Sequence, residues 1–268
     1  MTAAGASEVA FSVESSFGEV AGTPTWYQPG ENISVGSASL ERALNRARAP
    51  DDPRPIGSRE GNREVALNVS FSLTDTNWHP LVFAGTAALA NTASLAPTAT
   101  WYLSADTLPG EEERFIQGAA VESFSLNYSQ GEDVTVDLTI IGAEEIDPAD
   151  DGAPSVPSSI VQPTKDDIAT FAGFDFDLNG SQLSTKLQSL SLDISGMARF
   201  RRGQQQTAVD AVVGAYEPSM TVEATLEDTT QRELAYGTSG ATQPQDTVDE
   251  STGTLTVDNP GGTVATYT

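Results

Sequence analysis

The stretch VESFSLNYSQGEDVTVDLTI, residues 121–140, decides how this chain folds. Apolar and polar residues alternate in it with a period of two, first over residues 124–128 and again over residues 134–140. Such alternation is typical of β-strands that bury one face and expose the other. Because Ser129, Gln130 and Gly131 supply a turn between the two runs, the stretch predicts a β-hairpin.

The same period of two recurs at residues 65–73, 190–194 and 220–226. The first of these runs predicts a strand of about 30 Å, since each strand residue adds about 3.3 Å. VESFSLNYS is similar to LQSLSLDIS, and LNVSFSLTDT is similar to MTVEATLEDT. These pairs suggest either two duplicated halves or independent convergence of short β patterns, and both interpretations stay open.

One stretch predicts a helix. In NWHPLVFAGTAAL, residues 77–89, Asn77 can cap the first turn and Pro80 is acceptable within it. The expected fold class is therefore mainly β, a β-sandwich or barrel with long hairpins and one short helix.

The domain organisation follows from composition. Residues 146–165 are acidic and rich in Pro and Ser, which predicts a linker between an N-terminal β domain, residues 1–145, and a C-terminal β half, residues 166–268. After Thr238 the chain is polar and punctuated by Gly and Pro, so we expect a flexible tail with a short strand at residues 254–257.

Acidic residues dominate the charge. The chain has 38 Asp and Glu against 13 Lys and Arg, a formal net charge of −25, and only two of the cations are lysines, Lys165 and Lys186. This composition is typical of proteins that work in concentrated salt, where a Debye length of about 3 Å at 1 M screens self-repulsion. It disfavours tight binding to DNA phosphates, which requires cations. We therefore predict a halophilic protein.

The positive charge is concentrated in RALNRARAPDDPRPIGSREGNR, residues 42–63. Pro and Gly punctuate this segment, so it predicts an Arg-rich loop. A second patch occurs in MARFRR, residues 197–202. The arginines of the two segments are Arg42, Arg46, Arg48, Arg54, Arg59 and Arg63, and Arg199, Arg201 and Arg202.

Residue chemistry gives no catalytic motif. The absence of Cys excludes disulfides and thiolate metal sites, and no phosphate-binding or nucleophile motif occurs. His79, the only histidine, is better explained by a core or capping role. Asp147, Asp150 and Asp151 could form a calcium site or a hydrolase pair, but nothing distinguishes them from an acidic surface. We predict no enzyme, no cofactor and no metal.

The hydropathy pattern indicates no membrane partner. No run of 18 apolar residues occurs, and the N-terminal sequence has neither the cationic nor the apolar segment of a secretory signal.

Two motifs carry a resemblance to a known family. An E-x-x-F-G-x-x-x-x-x-P run extends from Glu14 to Pro24, and a G-x-x-V-x-S-x-S-L hairpin motif extends from Gly118 to Leu126. With the order of features over residues 10–230, they make the chain resemble the tail tube (major tail) proteins of long-tailed viruses. The composition then suggests a haloarchaeal virus.

The resemblance implies a structural virion protein of the tail, assembled in the host cytoplasm. Its subunits would form stacked rings, trimeric and pseudo-hexameric if the halves are duplicated, or hexameric if they are not. Its other partners would be the tape measure, terminator and distal tail proteins, together with viral DNA that passes through the lumen without specific binding.

Two surfaces are predicted to serve this assembly. We expect the arginines of both segments to pair with acidic groups at subunit or ring interfaces, because guanidinium groups bind carboxylates bidentately. The alternative is that residues 42–63 form a solvated loop. We expect the small polar strand faces, which lack arginine, to line the lumen: Asn68, Ser70, Ser72, Ser123, Ser125 and Asn127.

Other functions remain open on sequence alone. A halophile adhesin or surface β-sandwich is one, and its N-x-[ST] sequons would then be sites for glycosylation. Another virion β protein, such as a capsid decoration or tail terminator protein, is a second, and a carboxylate-based hydrolase is a third. The sequons begin at Asn32, Asn68, Asn127 and Asn179.

Overall fold

A computed structural model describes residues 7–48, 55–84, 88–89, 95–106, 111–164, 167–178, 181–183, 187–225, 229, 232–233, 236–238, 240–245 and 252–268. In this part of the chain two 3₁₀ turns, His79–Leu81 and Phe171–Gly173, accompany the strands, and residues 229 and 232–233 are α-helical. The strands are β1 Ser7–Ser16, β2 Glu19–Val20, β3 Trp26–Tyr27, β4 Glu31–Arg48, β5 Pro55–Ser72, β6 Phe83–Ala84, β7 Ala88–Leu89, β8 Ala99–Asp106, β9 Glu111–Ser129, β10 Thr135–Gly142, β11 Glu144–Ile146, β12 Ile160–Val161, β13 Phe174–Leu178, β14 Ser181–Gln182, β15 Leu187–Ser195, β16 Ala198–Arg202, β17 Ala208–Val213, β18 Glu217–Ala224, β19 Gly253–Asn259 and β20 Gly262–Tyr267. The fold is mainly β, as predicted.

A six-stranded antiparallel sheet, which we call the main sheet, has the strand order β4-β5-β10-β9-β15-β18. The hairpin predicted at residues 121–140 is confirmed: β9 and β10 pair with Thr135 opposite Asn127. Gly131 in the connecting turn has φ of 90°, a left-handed conformation that glycine adopts without steric cost.

The first half of β9 leaves the main sheet and forms a second layer. Residues 111–119 of β9 pair with β8, which pairs with β1, and β3 and β12 complete this layer. Two local features allow β9 to pass from the main sheet into the second layer. Gly118 has φ of 59°, and the register shift opposite residues 139–140 makes Glu122 an extra residue of β9, a β-bulge.

The core lies between the two layers and follows the predicted alternation. Trp78 stacks on Phe124 at 5.5 Å between ring centroids, and Phe11 lies 5.3 Å from Trp101. Burial of these side chains from water is the main force that holds the layers together. The pattern is wrong for β18, where Met220 and Val222 are exposed, and Leu192 of β15 is only half-buried. The other strand residues that the pattern placed on the apolar face are buried here: Val65, Leu67, Val69, Phe71, Leu73, Val121, Phe124, Leu126, Tyr128, Val134, Val136, Leu138, Ile140, Leu190 and Ile194.

The predicted flexible tail is wrong for residues 252–268. β19 and β20 form a hairpin that pairs with β13 in a four-stranded sheet, and β19 extends beyond the short strand expected at residues 254–257. The physical reason is a short alternating pattern within a polar sequence: Leu255, Val257, Ala265 and Tyr267 are buried against the main core. Residues 246–251 lie outside the described part.

The helix predicted at residues 77–89 is also wrong. Among the described residues of this stretch, 77–84 and 88–89, the one helical element is the 3₁₀ turn His79–Leu81. β6 and β7 then pair as a two-stranded sheet, with Phe83 opposite Leu89. Trp78, Leu81, Val82 and Phe83 are all buried. In a helix Trp78, Leu81 and Val82 would share one face by their i, i+3, i+4 spacing, but Phe83 would lie off that face. Burial of all four side chains therefore favours the observed turn and strand over a helix.

Part of the segment predicted as a linker, residues 146–165, packs against the second layer; Lys165 lies outside the described residues. β12 pairs in parallel with β3, and Ala153 and Ile160 contact a small cluster on the outer side of that layer. Since β15 also pairs with β9, strands from both sides of this segment share the main sheet. The division into two duplicated halves stays a prediction.

The prediction that residues 42–63 form a loop is wrong, because the described residues of this segment have strand conformation. Residues 42–48 and 55–63 belong to β4 and β5, which form one hairpin with strands of 18 residues each. Strand pairing here does not depend on apolar alternation, because the backbone hydrogen bonds of the two strands satisfy each other. Residues 49–54, which include Arg54, lie outside the described part.

Candidate assembly surfaces

The small polar residues predicted from the sequence share one face of the main sheet, which we call the polar face. The ladders align Ser70 with Asp137, Asp137 with Ser125, and Ser125 with Asp193 across four neighbouring strands. In the next row Ser72, Thr135, Asn127, Ser191 and Thr221 follow one another across the sheet, and in the row beyond Ser70 lie Asn68, Thr139 and Ser123.

Hydrogen bonds join the polar face into a network. The hydroxyls of Ser125 and Ser191 donate to Asp193, each at 2.7 Å. The amide of Asn127 donates to Asp137 at 2.8 Å and accepts from Ser191 at 3.0 Å. The face is thus hydroxyl-rich and anionic, and at its centre the side chains of Ser125, Asn127, Asp137, Ser191 and Asp193 are paired with one another.

The sequence alone does not predict that Asp137 of β10 and Asp193 of β15 join this network, because that depends on the order of the strands in the sheet. Asp137 and Asp193 have the alternation of their strands, but the sequence does not show which strands are neighbours. The six predicted residues do share the face. Whether that face lines a lumen is a prediction.

The β16–β17 hairpin covers one end of the polar face. Ala198 and Ala211 pack on Ala120 and Ile141, which share a face with Thr139 because side chains alternate along a strand. Phe200 packs edge-on against Phe17 at 6.2 Å. This hairpin brings the second arginine patch to the end of the sheet from which the Arg-rich part of β4 and β5 projects.

The structure brings the two predicted arginine segments together. Arg202 makes a salt bridge with Glu64 at 2.5 Å and donates to the carbonyl of Arg63 at 3.1 Å. Arg201 pairs with Asp210 on the neighbouring strand, and Arg199 is exposed. Arg201 and Arg202 therefore have carboxylate partners within their own chain, which the sequence did not predict.

Of the other predicted arginines, Arg54 lies outside the described residues. The rest belong to a projecting two-stranded ribbon, residues 41–48 and 55–64, which we call the distal ribbon: Arg42, Arg46, Arg48, Arg59 and Arg63. The β10 ladder ends where Gly142 pairs with Val65, so beyond Val65 the strands β4 and β5 pair with each other. Eight residues of strand extend about 26 Å. Arg42 lies opposite Arg63, and Arg59 lies opposite Asn45.

The opposite end of the main sheet carries acidic residues, and we call it the acidic end: Asp75, Glu132, Asp133 and Glu223. Glu132 and Asp133 lie in the turn between β9 and β10, and Asp75 follows β5. Burial raises the pKa of Asp75, against the lowering effect of its two hydrogen bonds from Asn77. The two lysines of the chain lie outside the described residues.

The two sequence motifs that suggested a family meet in space. The Glu14 carboxylate accepts the backbone N–H of Gly118 at 2.8 Å, that of Gly18 at 2.8 Å and the hydroxyl of Thr100 at 2.7 Å. A Cβ on Gly118 would lie 2.9 Å from the ring of Phe17. Glu14 and Phe17 thus hold the point at which β9 passes between layers, so the motif residues have a structural role.

His79, the only histidine, is a half-buried residue that packs on the edge of the core. Its Nε2 lies 2.9 Å from the hydroxyl of Tyr267, and its ring packs edge-on against Trp78 and Phe83. Burial lowers the pKa of His79 to about 4 and raises that of Tyr267. The contact ties the C-terminal hairpin to the core, as expected for a structural histidine.

The acidic turn at residues 147–151 is held by local contacts. The Asp147 carboxylate accepts the N–H of Ala149 at 2.8 Å, and its carbonyl accepts the N–H of Asp150 at 2.9 Å. In the described part of the chain, no helix is long and apolar enough to cross a membrane.

The fold and these surfaces define a structural β protein with a polar sheet face and a projecting hairpin. A family model for the phage tail tube protein matches residues 6–268, nearly the whole chain, so the chain belongs to the phage tail tube protein family. It is therefore a structural tail component of the virion. No curated protein sequence matches the chain closely enough to be compared with it.

Proposed function

We propose that this chain builds the tail tube as rings that stack around a channel for viral DNA, with the polar face toward the channel. The observation that carries the proposal is the hydrogen-bonded network of Ser, Asn and Asp on that face. A channel for DNA needs a wet wall without free cations, because arginine and lysine would hold the phosphates. Asp137 and Asp193 add negative charge that repels them.

We assign ring stacking to the distal ribbon. The ribbon and its arginines extend from one end of the main sheet, and the acidic end lies at the opposite end of the same sheet. Copies stacked in the same orientation would bring the ribbon of one ring to the acidic end of the next. Opposite charges would then favour head-to-tail stacking, and guanidinium–carboxylate pairs that are partly dehydrated would survive screening in salt.

The net charge of −25 supports a halophilic setting, which we propose to be a virus of salt-loving archaea. In this proposal the subunits assemble in the host cytoplasm, either as trimers of duplicated halves or as hexamers. The tape measure, terminator and distal tail proteins are the expected partners, and the chain has no catalytic role.

Assembly of the purified chain tests the function. In about 1 M NaCl, negative-stain electron microscopy should show rings or hollow tubes. Monomers alone at high protein concentration would contradict the proposal.

The triple variant Arg46→Glu, Arg48→Glu and Arg59→Glu tests the role of the ribbon. We expect single rings in place of tubes, with the circular dichroism spectrum of the subunit unchanged. Arg232→Glu is the control, since Arg232 is an exposed arginine outside the ribbon, and its tube yield should equal that of the wild type. An unchanged tube yield in the triple variant would exclude ribbon-mediated stacking.

A further inference from the structure

The distal ribbon leaves the main sheet at a point where its direction needs support. Within the described residues, β10 accompanies β5 only as far as Val65, and β4 and β5 then continue as a pair. The ladder between them also contains a β-bulge here, since two steps along β4, from Arg42 to Leu44, lie opposite three steps along β5. A bulge bends its strand, and a two-stranded hairpin is marginally stable in water. The ribbon therefore does not fix its own direction.

The β16–β17 hairpin, residues 198–213, contacts the ribbon at this point. The N–H of Arg63 donates to the carbonyl of Gln206 at 3.0 Å, and the carbonyl of Arg63 accepts from the guanidinium of Arg202 at 3.1 Å. Arg63 lies two residues beyond Val65, where the β10 ladder ends. As in one step of an antiparallel ladder, both backbone groups of one residue are satisfied from the same side. The hairpin thus takes over where β10 stops.

The side chain of Arg202 is suited to hold this junction. It is 19% exposed, and its guanidinium carbon lies 5.5 Å from the centre of the Phe200 ring. The forked guanidinium donates to the Glu64 carboxylate as well as to the carbonyls of Arg63 and Gln206, which the single ammonium of a lysine could not reproduce. Charge-assisted hydrogen bonds that are partly removed from water resist screening, so the junction should persist in about 1 M salt.

The other end of the β16–β17 hairpin is attached to the main sheet. The N–H of Met197 donates to the carbonyl of Glu122, the bulged residue of β9, at 2.9 Å. Ala198 and Ala211 pack on the main sheet, and the carbonyl of Ala211 accepts the N–H of Ala96 at 2.9 Å. The hairpin therefore connects the main sheet to the base of the ribbon.

We propose that the β16–β17 hairpin is a brace that fixes the direction of the distal ribbon, with Arg202 as the positioning residue at the contact. This inference rests on the proposed function, in which the ribbon stacks one ring on the next. A tilt of about 10° at the base would move the end of a ribbon about 26 Å long by about 4–5 Å, which is enough to separate a guanidinium from its carboxylate. Arg202 then acts within its own subunit, whereas the ribbon arginines act between rings.

Spin labels test the brace in the unassembled subunit, since the chain has no natural cysteine. Ala47→Cys places one label near the end of the ribbon, where Ala47 pairs with Gly57, and Ser219→Cys places the other at an exposed residue of β18 in the main sheet. Double electron–electron resonance should give one narrow distance distribution. Arg202→Ala should broaden it about twofold, because a two-stranded hairpin without the brace samples several directions.

Two further variants make this measurement specific. Arg201→Ala is the matched control, since Arg201 is the neighbouring arginine of the same hairpin and pairs with Asp210 on β17 rather than with the ribbon. Its distance distribution should stay as narrow as that of the wild type. Glu64→Gln removes the charge of the pair from the ribbon side without a change of size, and it should broaden the distribution less than Arg202→Ala. Narrow distributions in both Arg202→Ala and Glu64→Gln would overturn the proposal, and so would equal broadening in Arg201→Ala.

Tube assembly tests the purpose of the brace. Arg202→Ala should still form rings but give about tenfold fewer tubes if about a tenth of its ribbons point in the stacking direction, because apparent affinity falls with the competent fraction. Arg201→Ala should give tubes at wild-type yield. Wild-type tube yield from Arg202→Ala, despite a broadened distance distribution, would overturn the role of the brace in stacking. Wild-type protein that forms no rings would contradict the proposed function itself, while the spin-label distances would still decide whether the hairpin holds the ribbon.

Discussion

The two halves of β5 form one continuous strand and both pair with β4, but only the first half also pairs with β10. Residues 65–72 lie between β4 and β10, with Val65, Leu67, Val69 and Phe71 buried. Residues 55–64 pair with β4 beyond the end of the β10 ladder, and next to Val65 the N–H of Arg63 also donates to the carbonyl of Gln206 at 3.0 Å. The first half therefore depends on packing and the second on backbone pairing within the hairpin.

The difference teaches that hydrophobic alternation reports burial rather than backbone conformation. The buried half carries the period of two and was predicted as a strand. The distal half carries Arg, Glu, Asn and Gly without a period, and it was predicted as a loop. Both are strands, because main-chain hydrogen bonds extend the hairpin past the point where there is a core to cover.

Phe71→Ala should have the largest effect on subunit stability, because it empties the core under the buried half. Phe71 is fully buried and packs against Trp78 at 5.9 Å. Truncation of a buried phenylalanine costs about 3–5 kcal/mol. The check is chemical denaturation of the unassembled subunit. A loss below about 1 kcal/mol would mean that the core of the buried half does not hold the hairpin.

Gly118→Ala should lower the free energy of unfolding by about 2–4 kcal/mol. The loss combines the strain of a left-handed alanine with overpacking at the point where β9 passes between the layers. The added Cβ would lie 2.9 Å from both Ala143 and Phe17. The matched control is Gly131→Ala, where φ is also positive but no atom lies within 4 Å of the added Cβ, so strain alone remains. Equal losses of stability in the two variants would show that the close contact between residue 118 and Phe17 is unimportant.

Glu14→Gln should destabilise the subunit by about 1–3 kcal/mol at neutral pH. It replaces a carboxylate that accepts three hydrogen bonds with an amide whose NH₂ cannot accept them. Denaturant midpoints of the two proteins give the difference. Glu19→Gln, whose carboxylate accepts a hydrogen bond from Ser16 at an exposed site, is the control and should be nearly neutral.

The pH dependence of stability should contain a contribution from His79. Its pKa falls from 6.5 to about 4 on folding, so between these values the unfolded chain binds a proton that the folded chain does not. The contribution of His79 to the free energy of unfolding is therefore fully present above pH 6.5 and is lost progressively as the pH falls to about 4. His79→Gln should remove this decline, seen as a thermal midpoint that varies less with pH. Parallel midpoint curves would contradict the burial of His79.

The triple arginine variant should have the smallest effect on the subunit, within about 0.5 kcal/mol, as is usual for surface substitutions. The reason is that Arg46, Arg48 and Arg59 lie beyond the last ladder pair with β10. Thermal melts of the unassembled variant and wild type provide the measurement. A large loss of stability would mean that the ribbon belongs to the folded core, and the contrast between the two halves would fail.

Much of the main sheet could be predicted from the sequence, because its strands have one buried and one wet face. The β9–β10 hairpin is one example. Five of the six predicted polar-face residues are a second, since they are exposed or half-exposed, whereas Ser72 is buried. The C-terminal hairpin was missed since only four of its residues are buried in a polar context, and the 77–89 stretch was misread because aromatic packing around Trp78 prevents a helix. Contacts between residues that are far apart in the sequence, such as Arg202 with Glu64 or Glu14 with Gly118, depend on the strand order. A single sequence therefore gives no signal for them.

Electron cryomicroscopy of tubes formed in about 1 M NaCl tests the central claim most directly. The reconstruction should show the distal ribbon of each subunit in contact with the acidic end of the adjacent ring, and the polar face of the main sheet toward an open channel. A ribbon that projects into solvent without contacting another subunit, or a channel lined by the opposite side of the subunit, would contradict the account.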